Sequence, residues 1–181
     1  ASLLFPPLEK KTKVATRKKS PIPDVEVEIP YSMNEEQQKI YSDISQNLNF
    51  SVHLLYGITG SGKTEVYLQL FNHIIGQGKK GLFLLPEISL TPQLVSRFAK
   101  RFGNQISLLH SQLTDRERTQ FWWDMVEGDK KILIGARSAM FCPIPNLGLI
   151  VVDEEHETSF KQDEKLKYHG RDTAIMLGKF L

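Results

Sequence analysis

Two stretches of this sequence carry residue types at spacings suited to chemistry. The first is Gly57-Ile58-Thr59-Gly60-Ser61-Gly62-Lys63-Thr64, which satisfies Gly-x-x-x-x-Gly-Lys-Thr. Glycines let the backbone curl so that successive N–H groups turn inward, a cradle for phosphate oxygens. An apolar run through Tyr56 leads in, and a helix-like segment from Glu65 to Ile75 leads out. That is the strand–turn–helix setting of a P-loop, with the positive helix end facing the anion. Lys63 can reach the β- and γ-phosphates of a nucleotide, and the Thr64 hydroxyl can ligate Mg²⁺. The second stretch is Leu149-Ile150-Val151-Val152-Asp153-Glu154-Glu155-His156, carboxylates at the end of an apolar run. Charges so placed are costly unless a cation or substrate uses them. Asp153 is expected to hold the Mg²⁺ also touched by Thr64, and Glu154 to orient and deprotonate the attacking water.

The elements that would position these groups follow from the pattern. Residues 1–30, with Pro6, Pro7, Pro21, Pro23 and Pro30 and a basic run from Lys10 to Lys19, show no helical period. They read as an extended or disordered connector. The folded part is expected over residues 31–181. Ser32-Met33-Asn34-Glu35 fits a capping box with Ser32 as cap, opening a helix with Ile40, Ile44 and Leu48 on one face. Ser51 to Tyr56 reads as a buried strand, Lys63 to about Gln77 as the P-loop helix, and Gly81 to Leu85 as a second strand. Thr91 caps a helix that starts at Pro92 and runs to about Phe102, with Leu94, Val95 and Phe98 inward. Gln105 to Leu109 is a third strand. Thr114 and Glu117 form a capping box for a helix to about Glu127, with Phe121, Trp122 and Met125 as its core stripe. Lys131 to Gly135 and Leu147 to Val152 are two more strands, the last read as covered on both faces. His156 to Gly170 has no clear period, and Arg171 to Leu181 reads as a helix.

Alternating strands and helices indicate an α/β fold with a mostly parallel sheet flanked by helices. In such a sheet ligands lie beyond the carboxyl ends of the strands. Pro86 to Thr91, His110-Ser111, Gly135 to Ser138 and Asp153 to His156 all fall there.

Composition bounds the rest. The 181 residues suit one sizeable domain plus a tail. The first thirty residues carry six Lys/Arg and four Asp/Glu of the totals of 23 and 21, leaving seventeen of each in the remainder. The net charge of +2 therefore lies in the tail, and any nucleic-acid contact must come from local sites. The single cysteine, Cys142, excludes an internal disulfide and a cysteine-based zinc cluster, and reads as a buried apolar side chain in a cytoplasmic protein. No run approaches the length of a membrane span.

A P-loop paired with Asp-Glu-x-His is the signature of superfamily 2 helicases and translocases. Flanking residues narrow the resemblance: Thr59 to Leu68, Leu85-Pro86-Glu87-Ile88-Ser89-Leu90-Thr91, Gly135-Ala136-Arg137-Ser138-Ala139, Asp153 to His156, Ser159-Phe160-Lys161-Gln162, Tyr168-His169 and Arg171-Asp172. Together they resemble the PriA family of primosomal replication-restart helicases, of the DExH type. The resemblance covers about residues 31–181.

It implies the first RecA-like motor lobe of a helicase that moves from the three-prime to the five-prime end and reloads the replisome at abandoned forks. By position, Gln37 resembles the residue that reads adenine, and with Gly57, Thr59, Gly60, Ser61, Gly62, Lys63 and Thr64 it completes the implied ATP site. His156 resembles the residue that couples hydrolysis to DNA. Thr91, Arg137 and Ser138 fall in loops resembling the family's strand-contacting loops, where an arginine can bond phosphate. Phe160 to Tyr168 resembles the aromatic-rich loop that senses single-stranded DNA. Phe160, Tyr168 and His169 offer rings there and Lys161, Lys165 and Lys167 offer charge, while Leu166 stands where the family pattern has tryptophan. The implied partners are single-stranded and forked DNA, primosome proteins and a second motor lobe. DNA-binding domains, that second lobe with its cysteine-bound zinc, the Ser-Ala-Thr motif and an arginine finger are all outside this sequence, so the chain reads as an excised, C-terminally truncated fragment that binds ATP weakly with little turnover.

Two other classes compete. A non-catalytic P-loop module for DNA or partner binding would need none of Lys63, Thr64, Asp153 and Glu154. A small-molecule kinase would need an arginine-bearing lid and has no use for Asp-Glu-Glu-His.

Overall fold

A computed structural model describes residues 31–47, 49–58, 60–163 and 166–181. The connector expected over 1–30, and with it Leu48, Thr59 and Lys165, lies outside the described residues. The elements are α1 (Glu35–Ser45), α2 (Lys63–Gly76), β1 (Lys80–Leu84), α3 (Pro92–Phe102), β2 (Ile106–Leu109), α4 (Asp115–Val126), β3 (Ile132–Gly135), β4 (Leu147–Val152), β5 (Lys161–Gln162), β6 (Tyr168–His169) and α5 (Gly170–Phe180).

β1 to β4 form a parallel sheet in the order β2-β3-β1-β4. The period-two alternation of β1 assigns its side chains to two cores. Phe83 faces α2 and α3, where it meets Phe71 and Phe98 at ring-centroid distances of 6.2 and 5.0 Å. Leu82 and Leu84 face the opposite side with Met125 of α4, Phe160 and Ala174 of α5. Gly81 permits this packing, since a Cβ there would lie 2.3 Å from the Phe71 ring. The Lys80 ammonium ends inside the protein, donating to the Met125 carbonyl at 2.6 Å and to that of Gly128 at 3.3 Å.

The caps of α3 and α4 follow the sequence reading: Thr91 accepts from Leu94 N–H with Pro92 behind it, and Thr114 and Glu117 form a capping box. Val95 and Phe98 are buried as expected, and Cys142 is a buried free thiol whose burial pushes its pKa up to about 12.

Three expectations need correction. The cap of α1 is Asn34, not Ser32, boxed with Gln37; an asparagine carboxamide serves that role as well as a hydroxyl. Ser51 to Tyr56 forms no strand and is exposed apart from Leu55. A strand exists by pairing, and β4, at the sheet edge, pairs among the described residues only with β1. β4 carries core on both faces, as its sequence suggests: Leu149 and Val151 pack with Phe83 on one side and Leu147, Ile150 and Val152 with Leu82 and Leu84 on the other, although as an edge strand it stays half-buried. Finally, the stretch from His156 to Gly170 contains the short antiparallel pair β5–β6, too brief for periodicity to reveal. No helix among the described residues is long and apolar enough to cross a membrane.

Candidate nucleotide and nucleic-acid site

The glycine-rich loop has the backbone its sequence requires. Gly60 and Gly62 both adopt φ of 84°, left-handed values that glycine takes without strain. A Cβ on Gly57 would lie 2.8 Å from Ser61 Oγ and 3.9 Å from Lys63 Cδ, so the loop closes around space that only a glycine leaves open. The Lys63 ammonium points back into this concavity, donating to the Gly57 carbonyl and, at 3.0 Å, to that of Ile58. Gly62 ends the loop as the first carbonyl acceptor of α2, taking Glu65 N–H at 2.9 Å. Thr64 follows on the first turn, half-buried. Gln37 lies over the loop: its Nε2 donates to the Ser61 carbonyl at 3.1 Å while its Oε1 accepts from Asn34 N–H at 3.0 Å.

β4 delivers the acidic run to the same place. Asp153 N–H donates to the Leu84 carbonyl at 2.8 Å, extending the β1–β4 ladder by one bond. The Asp153 carboxyl accepts from Tyr67 of α2 and feels the Lys63 charge. Burial, which outweighs Glu154 N–H, Lys63 and Tyr67, holds its pKa above the ordinary carboxylate value. Glu154 turns into the left-handed region at φ of 50° and its Oε2 accepts from the Ser89 hydroxyl at 2.6 Å. His156 stands exposed on the following turn.

A phosphate group and Mg²⁺ fit these residues. The loop leaves room that a Cβ would fill, Lys63 supplies charge, and Thr64 and Asp153 offer hard oxygen donors. Mg²⁺ is held by one or two carboxylates with phosphates and waters, so no larger donor cluster is required.

The strand-end loops named from sequence gather on the same edge, but their side chains differ from expectation. Arg137 gives its Nη1 to the Ser159 carbonyl at 2.7 Å and to that of Lys161, and its Nη2 to Gln162 Oε1. It also bonds Tyr168, whose ring stacks edge-on against Phe141 at 5.1 Å. Arg137 thus clasps the aromatic loop instead of projecting free. Phe160 is 1% exposed and belongs to the core; an aromatic flanked by polar residues looks like a stacking ring in sequence, yet the turn Thr158–Phe160 folds it under the sheet. Tyr168 is half-buried, Lys161 is exposed and paired with Asp163 at 3.1 Å, Ser138 is exposed, and Thr91 is exposed with its hydroxyl committed to the α3 cap. Thr59 lies outside the described residues.

Four residues without a role in the sequence reading complete the arrangement: Tyr67 on Asp153, Ser89 on Glu154, Glu87 on Ser111, and Arg171 on Glu155 at 2.7 Å. Each lies in or beside a recognised motif, the only signal the sequence offered.

This fold and this pairing of P-loop with acidic strand end define a RecA-like lobe. A model of the DEAD/DEAH box helicase family matches residues 34–177, and the chain belongs to that family. Within it, the chain is similar to Replication restart protein PriA: 49% identical over 155 residues to that of Chlamydia pneumoniae, covering 83% of this chain and 21% of that protein. For Bacillus subtilis (strain 168) the identity is 44% over 149 residues, with coverage of 81% and 18%. For Haemophilus influenzae it is 46% over 159 residues, with coverage of 88% and 22%. The chain therefore spans about a fifth of the length of these relatives. A structure of RecG bound to a three-way DNA junction shares the fold, with a TM-score of 0.61 and 22% identity over 79% of this chain and 20% of that one.

Proposed function

We propose that this chain is the ATP-binding first motor lobe of a PriA-like DNA helicase that unwinds DNA from the three-prime to the five-prime end and restarts stalled forks. One observation carries the reading: Asp153, at the end of β4, meets the P-loop helix through Tyr67 and lies within electrostatic reach of Lys63. In this reading the loop N–H groups and Lys63 bind the phosphates, Gln37 reads the base, and Thr64 and Asp153 hold Mg²⁺. Bound Mg²⁺ supplies charge neutralisation on the transferring phosphoryl group. Glu154 orients the attacking water and takes its proton, and His156 links that step to DNA. Thr91, Ser138, Lys161 and Tyr168 face the single strand, with Arg137 ordering the loop that bears the last two; Phe160 takes no base. Residues 1–30 serve as a connector and 31–181 as the lobe. Hydrolysis at useful rates needs a second lobe and its arginine finger, and zinc belongs to that other part. Forked DNA, primosome proteins and a cytoplasmic setting follow from the likeness to PriA.

Calorimetric titration of the 181-residue chain with Mg-ATP tests the site. Weak binding is expected, lost in Lys63→Ala; unchanged binding in that variant removes Lys63 from its role. Brisk DNA-stimulated turnover by the chain alone would refute the need for a second lobe.

A further inference from the structure

The turn Glu87–Ser89 follows β1 and is fastened on two sides. On one, Glu87 Oε1 accepts from Ser111 N–H at 2.9 Å and from the Ser111 hydroxyl, while Arg118 Nη2 donates to the Ser111 carbonyl at 3.1 Å. The turn is thereby tied to the loop between β2 and α4. On the other, the Ser89 hydroxyl donates to Glu154 Oε2 at 2.6 Å. Glu154 reaches it from a left-handed backbone, φ 50°, that a residue with a Cβ adopts only at a cost and that aims its side chain. Between Glu87 and Ser89, Ile88 projects from the tip of the turn, 89% exposed. Ile88 thus stands open at the carboxyl end of β1, beside the turn that holds the glutamate.

We propose that Ser89 is a positioning residue for Glu154: its hydroxyl anchors the carboxylate to the Glu87–Ser89 turn, and a single strand engaging the turn releases it. The proposal rests on the reading of Glu154 as the residue that orients the attacking water. It goes further in linking a strand-facing loop to that carboxylate through one hydroxyl. A committed carboxylate keeps hydrolysis slow without DNA. Movement of the turn frees Glu154 when DNA is present.

The experiment is steady-state ATP turnover by the full-length protein that carries this lobe, with and without single-stranded oligothymidylate. Ser89→Ala, Ser89→Thr and Glu154→Gln are compared. Ser89→Ala should raise DNA-free kcat about tenfold, the equilibrium worth of one hydrogen bond to a charged group, and lower the stimulation ratio to match. KM for ATP stays unchanged, and Ser89→Thr, which keeps the hydroxyl, returns both to the starting values. DNA-free turnover in Ser89→Ala equal to or below the starting protein, or a threonine variant that behaves like alanine, overturns the proposal. If Glu154→Gln still hydrolyses at the starting rate, the assignment of Glu154 fails and the proposal with it. If that variant is silent while Ser89→Ala is unchanged, the Ser89 proposal alone fails.

Discussion

The Tyr67 hydroxyl donates to the Asp153 carboxyl, joining α2 one turn beyond Lys63 to the end of β4. This bond spans the two motifs that the sequence separates by ninety residues. It explains how an aspartate at a half-buried strand end persists: the phenol shields one oxygen, while burial and the nearby carboxylate push the phenol itself up and keep it a donor. The arrangement is a compromise in which a charge is kept where packing disfavours it.

Asp153→Asn should therefore raise the melting temperature in metal-free buffer at neutral pH, because an amide accepts from Tyr67 without a buried charge. At this chain length each kcal/mol gained appears as roughly 2–4 °C. The same variant should lose the Mg²⁺-dependent part of its ATP affinity. A melting temperature that falls, in differential scanning calorimetry, would show that the charge is already well compensated.

Arg137 holds the aromatic loop by three side-chain bonds to Ser159, Lys161 and Gln162. Arg137→Ala removes them together, at about 1 kcal/mol or more each. Trypsin should then cut faster at Lys161 and Lys167, both exposed, as read by mass spectrometry over time. Arg137→Lys should fall close to alanine, since an ammonium cannot reproduce the planar fork. Equal cleavage in all three proteins would leave Arg137 free for another role.

The sequence made the P-loop, the acidic strand end, four parallel strands and the caps of α3 and α4 legible because each is local: glycine spacing, an apolar run, a serine-like cap. What it hid was decided by distant partners. Ser51 to Tyr56 has the apolar character of a strand, but pairing depends on a neighbour that no local pattern specifies. Phe160 and Tyr168 look alike in sequence; one is packed under the sheet and the other stands half-open against Phe141. Arg137 reads as a phosphate ligand until the carbonyls it meets, more than twenty residues away, are seen. Tyr67 stood in the sequence only as one member of the Thr59 to Leu68 stretch, and its hydroxyl acquires meaning once β4 is placed beside α2.

Glu65 and Arg101 link α2 to α3 by an ion pair of 2.9 Å whose side chains are 14% and 7% exposed. Gln69 adds a bond to Glu65 at 2.9 Å. Removing one partner strands a charge in a place water barely reaches, so Arg101→Met should destabilise by about 3 kcal/mol in urea denaturation. Adding Glu65→Gln should recover most of that, because the loss lies in the unpaired carboxylate more than in the missing pair. A double variant as weak as the single one would place the cost in packing of the arginine stem.

Glu87 is held below the ordinary carboxylate range, chiefly by the Ser111 hydroxyl, with Ser111 N–H, His110 and Arg118 adding to it against some desolvation. Its folded-state pKa lies under the unfolded one, so its contribution to stability is complete above the unfolded value near 4.5 and is lost as pH falls through the depressed one. Glu87→Gln cannot ionise and should flatten that acid limb. Unfolding midpoints of the two proteins should differ at pH 6 to 7 and converge on acidification, by a small amount because the group is exposed and solvent screens it. A difference that persists unchanged at low pH would mean that the carboxylate's charge plays no part in fastening the turn to Ser111, and that geometry alone holds it.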